Sequence, residues 1–348
     1  MRSYNLALIG FGGVNRALAQ LIDEDQPRFR ELGFELKVVA ITDLAMGSLI
    51  QADGVDLGEI LALPRGTTFA GHDGGSAEAD NERVIRESPA DVVVEATFTN
   101  PQTGEPAASH VRWALESGKH VTTTNKGPVA LHGAALNAIA AANGVRFAYE
   151  GSVMSGTPVL GLAHRQLAGL GFSRVQGVLN GTSNYVLSRM EAGLSLDAAV
   201  AEAQAHGYAE ADPTADIGGS DVQLKVTILA NELLGADISP ADVETFGIQD
   251  ITADDVAAAA REGRRWKLIG SAERDQDGAV TARVAAEAVT ADHPLANVPG
   301  ATNAVSFDTD LLGTVTVTGP GAGRIETAYA LIADLISIDA FEKDAARV

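Results

Sequence analysis

Residues 4–22 restrict the fold more than any other stretch. YNLALI (4–9) has the character of a short buried strand, GFGGVN (10–15) is a glycine turn, and RALAQLI (16–22) is an apolar helix. Strand, glycine turn and helix in that order form the phosphate-binding loop of a doubly wound α/β domain. Gly10 permits the tight turn, and Gly12 lets a pyrophosphate approach the backbone at the helix N-terminus. Asn15 stands where the third glycine of the pattern belongs, which predicts looser packing of helix on strand. A plain glycine turn before a helix would read the same way.

Strands and helices then alternate. ELKVVAITD (35–43) is β-rich and ends in Asp43. An acid at the end of the second strand is where a ribose 2′-hydroxyl is held, which favours NAD over NADP. Asp is also a common turn residue in that place. GHDGGSAEADN (71–81) reads as an exposed loop. DVVVEA (91–96) is a buried strand followed by a loop, 106–117 a helix, and HVTTTNKG (120–127) a strand leading into a loop that holds Lys126. Residues 129–142 are helical and VRFAYEG begins another strand. This spacing predicts a parallel α/β sheet. Ligands sit at the carboxyl ends of such strands, where Thr97, Asn100 and Lys126 fall.

After Glu150 the texture changes. GSVMSGTPVL is small and glycine-rich; taken alone, YEGSVMSGTP reads as an exposed bend with a solvated Glu150. VQGVLNGTSNYVLSRM reads as strand, turn and helix. Gly181-Thr182-Ser183 then sits at a helix N-terminus, where a carboxylate is favoured, unless Ser183 simply caps the helix. Helices are expected near 195–206, 221–234 and 251–260. From 264 to 318 the chain is β-rich, with TARVAAEAV, NAVSFDTD and TVTVTG as strands, and GPGAG (319–323) leads into an amphipathic helix.

The chemistry concentrates in GYAEADPTADIGGSDVQLKVTILA (207–230). Its first half carries Glu210, Asp212, Asp216 and Asp221, and Pro213 with Gly218-Gly219 argues against a regular helix there. From Asp221 onward it reads as a helix apolar nearly all round, hence buried. Asp221 and Lys225 share one face of that helix. On the surface this would be a weak ion pair. In a buried setting a lysine shifts its pKa readily and suits proton transfer.

Composition narrows the class. The chain has 348 residues, enough for two domains, and 46% hydrophobic content, enough for sizeable cores. No apolar run reaches the ~18 residues of a membrane span. The start, Met1-Arg2-Ser3 into a strand, lacks a signal-peptide layout, so a cytoplasmic enzyme is expected. Cysteine is absent, which excludes a thiol nucleophile and thiolate metal sites. A net charge of −21 argues against nucleic acid as partner. The acids are spread along the chain, which points to a surface suited to high salt.

Several of these stretches together resemble the homoserine dehydrogenases, in their short form without a regulatory domain. They are GFGGVNRA, VVVEATFTNPQTGEPA, HVTTTNKGP, YEGSVMSGTPV, LNGTSNY, the 207–230 segment and GPGAG, in the family's order. The resemblance implies a Rossmann-type parallel-sheet domain, residues 1–148 with the returning helix 319–348, and an α+β substrate and dimerisation domain, residues 149–318. It implies interconversion of L-homoserine and L-aspartate 4-semialdehyde, on the route to threonine and methionine, by a homodimer with NAD or NADP. Lys225 would be the proton donor or acceptor, supported by Asp221. Glu210, Asp216, Lys126, Gly181 and Thr182 would meet the amino-acid substrate. Gly10, Phe11, Gly12, Gly13, Val14, Asp43, Thr97, Lys126, Gly321 and Gly323 would face the cofactor. Glu150, with main-chain oxygens of Val153, Ser155 and Thr157, would hold a monovalent cation, Na+ or K+. Asp43-Leu44-Ala45 stands where many members carry a basic residue.

Three other readings compete. Aspartate semialdehyde dehydrogenase needs a cysteine, and there is none. A divalent-metal hydrolase could use the clustered carboxylates, but leaves the first half without a purpose. A silent nucleotide sensor on the same fold would not require both Asp221 and Lys225.

Overall fold

Seven strands, β1 (Arg2–Ile9), β2 (Phe34–Asp43), β3 (Gly47–Ile50), β4 (Gly75–Ser76), β5 (Val92–Glu95), β6 (His120–Thr123) and β7 (Phe147–Ala148), make the first sheet, in the order β4-β3-β2-β1-β5-β6-β7. The computed structural model describes residues 1–64 and 66–346. The chain divides into two units, Met1–Ser152 with Gly323–Val348, and Val153–Ala322. In the first unit β2, β1, β5, β6 and β7 run parallel, as the alternation predicts. The edge departs from it: β3 and β4 pair antiparallel, so the loop at 71–81 contains a strand. Two paired residues carry no alternation to read.

The parallel strands are apolar runs because both faces are covered. Leu6 to Ile9 and Val92 to Val94 are fully buried. The helices are α1 (Gly13–Glu24), α2 (Gln26–Leu32), α3 (Leu57–Ala62), α4 (Asn81–Glu87), α5 (Ala107–Glu116) and α6 (Lys126–Ala142). Lys126 therefore opens a helix rather than ending in a loop, because Asn125 caps it by accepting from the Gly127 N–H. The C-terminal helix Arg324–Ala345 returns to this unit. It places Ala328, Leu331, Ile332, Leu335 and Ile338 in one core with Leu6, Leu8 and Leu18.

A single turn, α7 (Gly151–Met154), follows β7, and Glu150 is buried; the exposed-bend reading fails because Met154 and Val153 carry the segment inward. The second unit holds α8 (Gly181–Glu191), α9 (Leu196–Ala205), α10 (Thr214–Ile217), α11 (Ser220–Leu234) and α12 (Ala253–Arg261). Its strands are β8 (Phe172–Val178), β9 (Glu244–Thr245), β10 (Arg264–Arg274), β11 (Val280–Thr290), β12 (Thr302–Thr309) and β13 (Gly313–Pro320). The sheet order is β13-β12-β8-β10-β11-β9, and every pairing but β9 with β11 is antiparallel. Helix α11 lies on β8, β10 and β11. At Gly270 of β10 a Cβ would run into Val222 and Val226, so glycine sets how closely helix and sheet approach. The turn α10 forms despite Pro213, which precedes its first residue, where a missing N–H does no harm.

Candidate functional site

Helix α11 carries Lys225 into the second unit. Its side chain is 8% exposed, and its ammonium donates to the Leu179 carbonyl at 2.6 Å and to Asp221 Oδ2 at 2.8 Å. The i,i+4 pair read from the sequence is thus formed, and it is largely buried rather than on the surface. Asn180 completes the group: its Nδ2 donates to Asp221 Oδ2 at 3.0 Å and to Asp216 Oδ1 at 2.6 Å. Its own Oδ1 accepts the Ser183 N–H at 2.8 Å, so Asn180, not Ser183, caps α8. Asn supplies both an acceptor and donors, which lets one side chain cap a helix and bridge two carboxylates. Burial pushes the Asp216 carboxyl above its usual range; the Asn180 amide pulls it back, and Asp221 adds repulsion.

Thr182 Oγ1 donates to the Tyr208 carbonyl at 2.6 Å, tying the start of α8 to the acidic loop. At Gly181 a Cβ would meet the Ala301 carbonyl oxygen at 2.5 Å, so packing alone demands glycine there. Glu210 is not in this hydrogen-bonded group; it is exposed, and its main-chain oxygen accepts from Gln204.

The glycine turn is organised in the first unit. Gly10 has φ +77, a left-handed conformation, and a Cβ there would sit 3.0 Å from the Ala96 oxygen. Gly12 faces open space: nothing lies within 4 Å of a Cβ built on it. The first turn of α1 has no acidic residue and no side-chain cap, which suits an anionic group. Gly13 lies under the Arg324 side chain, and Val14 is half-buried. Phe11 is buried, with the Arg16 guanidinium 4.7 Å above its ring. Asn15 does not loosen the turn. Its Nδ2 donates to the Gly10 carbonyl at 2.7 Å and to those of Ile9 and Val94 at 3.3 Å, so an amide clamps what a glycine would only admit.

Asp43 reaches back to this turn. Its Oδ2 accepts the Phe11 N–H at 3.0 Å and its Oδ1 the Ala45 N–H at 2.9 Å. Thr97 and Lys126 stand at the carboxyl ends of β5 and β6. Gly321 packs against the Asn303 amide in the second unit, and Gly323, φ +131, begins the C-terminal helix beneath the Glu326 carboxylate.

Of the residues read as a cation loop, Glu150 is 8% exposed, and Val153, Ser155 and Thr157 are buried. Ser155 has φ +52. Within the first unit the Glu150 N–H donates to Asp334 Oδ1 at 3.2 Å. Burial, with repulsion from Glu150, pushes the Asp334 carboxyl up to about 7.

Asn180 and Asp334 are residues that sequence reading passed over. Asn before an apolar helix is a cap signal, and an acid inside ALIADLISI breaks an apolar pattern; both signals were available. Among the described residues no group of three or more His, Asp or Glu could hold a metal ion. Among them, too, no helix is long and apolar enough to cross a membrane.

Comparison with known proteins shows the family. Residues 158–336 match the family model described as homoserine dehydrogenase, and residues 10–150 match the model of the homoserine dehydrogenase NAD binding domain. The chain is 57% identical over 340 residues to the NAD(+)-dependent homoserine dehydrogenase of Pseudomonas canavaninivorans, covering 97% of each. It is 40% identical to the homoserine dehydrogenase of Methanocaldococcus jannaschii, over 96% of this chain and 98% of that one. Among solved structures, a homoserine dehydrogenase from Thiobacillus denitrificans superposes with a TM-score of 0.84 at 32% identity, covering 98% of this chain and 74% of that one. A hyperthermophilic archaeal homoserine dehydrogenase in complex with NADPH gives 0.82 at 29% identity, covering 97% and 98%. Glycine turn, buried lysine–aspartate pair and near full-length likeness coincide: the chain belongs to the homoserine dehydrogenase family and is a nicotinamide-dependent oxidoreductase.

Proposed function

We propose that this chain interconverts L-homoserine and L-aspartate 4-semialdehyde with Lys225 as proton donor and acceptor, and that NAD is its preferred cofactor. The observation that carries the assignment is the buried ammonium of Lys225, fixed by the Leu179 carbonyl and Asp221. The nicotinamide, when bound, gives or takes the hydride. As the aldehyde carbon is reduced, negative charge grows on its oxygen. A proton from Lys225 neutralises that alkoxide, and in oxidation the amine takes it back, a contribution of ~10²–10⁴-fold. Asp221 orients the lysine. Asp216 and Glu210 suit the substrate ammonium, and the α8 N-terminus with Gly181 and Thr182, together with Lys126, suits its carboxylate.

The cofactor residues are assigned on the open space at Gly12, the uncapped start of α1, and the carboxyl-end positions of Asp43 and Thr97. The NAD preference rests on Asp43 and on the name of the Pseudomonas relative. A monovalent cation held by Glu150 and the main-chain oxygens of Val153, Ser155 and Thr157 would offset the charge of Glu150, whose repulsion adds to burial in raising the Asp334 carboxyl. The unit Val153–Ala322 is assigned to substrate and to a homodimer contact, the latter checked by sedimentation.

The test is an absorbance assay at the reduced-nicotinamide band with homoserine, comparing NAD with NADP at low and high KCl. Turnover with NAD is expected; NADH binding without turnover would favour a silent sensor. Lys225→Ala should lower kcat at least a hundredfold and leave NADH affinity unchanged. Near-normal kcat would remove Lys225 from the proton transfer.

A further inference from the structure

One carboxylate in the first unit lies at 0% exposure, at the end of β5: Glu95. A buried carboxylate persists only when donors surround it. Three do so. The Thr97 N–H donates to Oε1 at 3.0 Å, the Thr97 hydroxyl donates to the same oxygen, and Thr123 Oγ1 donates to Oε2 at 2.8 Å. The two threonines belong to the ends of neighbouring strands. Thr123 then accepts the Asn125 N–H at 3.0 Å. Asn125 spends its Nδ2 on the Phe98 carbonyl at 3.0 Å and its Oδ1 on the Gly127 N–H at 3.1 Å. The loop after β5 and the first turn of α6, where Lys126 stands, are thereby fixed to one carboxylate.

The chain of contacts extends the other way. Thr42, beside Asp43, donates its hydroxyl to Asn81 Oδ1 at 2.8 Å. That sets the Asn81 amide, so its Nδ2 faces His110 Nε2 at 2.9 Å. Nε2 must accept, which leaves the ring proton on Nδ1. His110 Nδ1 points to Glu95 Oε1 at 3.6 Å, too long for a hydrogen bond but close enough for attraction. Hydrogen bonds therefore join the carboxyl ends of β5 and β6 at Glu95, and the 3.6 Å approach of His110 brings the Thr42–Asn81 pair at the end of β2 alongside. The apolar strand needs only a hydrophobe at that place, so packing does not explain an acid.

We propose that Glu95 is a positioning residue: its carboxylate sets Thr97 for the cofactor directly, and sets the start of α6, with Lys126, through Thr123 and Asn125. The inference rests on the assignment of Thr97 and Lys126 made above. Neither Glu95 nor Thr123 needs to touch a ligand.

The experiment uses the full chain and NADH as the probe, with Kd from nicotinamide fluorescence and Tm from thermal melts. Glu95→Gln should raise the NADH Kd at least tenfold. Thr123→Val, which keeps the carboxylate, should raise it severalfold with Tm within a few degrees of wild type. Because part of the effect runs through Thr97, Glu95→Gln added to Thr97→Ala should weaken binding by a smaller factor than Glu95→Gln does alone. If Glu95→Gln does not fold, Thr123→Val decides. A Kd within twofold of wild type in both variants, with only Tm lowered, would show a purely structural acid and overturn the proposal; so would additive effects in the double variant. A wild-type chain that bound neither NADH nor NADPH would overturn the cofactor assignment itself, which no result on the variants alone would do.

Discussion

Both oxygens of Asp43 are in use before any ribose arrives, one on the Phe11 N–H and one on the Ala45 N–H. A carboxylate oxygen accepts more than one donor, so Asp43 can hold a 2′-hydroxyl while bolting the glycine turn to β2. The substitution Asp43→Ala is expected to raise KM for NAD more than tenfold and to raise KM for NADP too, narrowing the ratio; steady-state titration with both cofactors checks it. An unchanged ratio would take Asp43 out of the site. Lys267 is a second residue with a single measurable consequence. It is 3% exposed, and its ammonium donates to Asn184 Oδ1 at 2.8 Å and to the Val298 carbonyl at 2.7 Å. Burial pulls its pKa down from 10.5 to about 8. The folded state thus binds fewer protons than the unfolded one between those values, and stability should rise as pH climbs from about 8 toward 10.5. Urea midpoints across that range should rise in wild type and stay flatter in Lys267→Met. At this scale the sequence showed Lys225 and Asp221, because spacing on an oily helix is local. It did not show Leu179, Asn180 and Asp216 gathering around them, because those contacts close over long separations.

Strand β10 illustrates what periodicity misses among elements. RRWKLIGSAER carries a lysine and a glycine on either side of its buried Leu268-Ile269 centre, and neither is a usual strand residue. Both have reasons in packing: Lys267 finds acceptors, and Gly270 admits α11. Gly270→Ala should drive Val222 and Val226 away from the sheet, destabilising by about 1–3 kcal/mol. It should also shift Lys225 on the same helix, so kcat should fall several-fold while the NADH Kd holds. Thermal melts and single-turnover rates would separate the two effects. The long elements, β1, β2, α1, α11, β11 and the C-terminal helix, were legible because their patterns run over many residues. The two-residue strands, the single turns α7 and α10 and the start of α6 were not, since each is set by a cap or by a neighbour distant in sequence.

For the whole molecule, charge and connectivity matter most. A net charge of −21 makes the folded surface repel itself, and salt screens that repulsion. We expect Tm to rise by several degrees between dilute buffer and molar KCl; a fall would count against a salt-adapted surface. Connectivity has a different effect. Leu331, Leu335 and Ile338 are almost wholly buried, each contributing ~1.5–3 kcal/mol to a core whose first strand is Arg2–Ile9. The lobe begun earliest on the ribosome is therefore sealed last. A nascent chain stalled short of residue 338 would expose Leu6, Leu8 and Leu18 to chaperones, whereas the interior of the lobe built from Val153–Ala322 would already be closed.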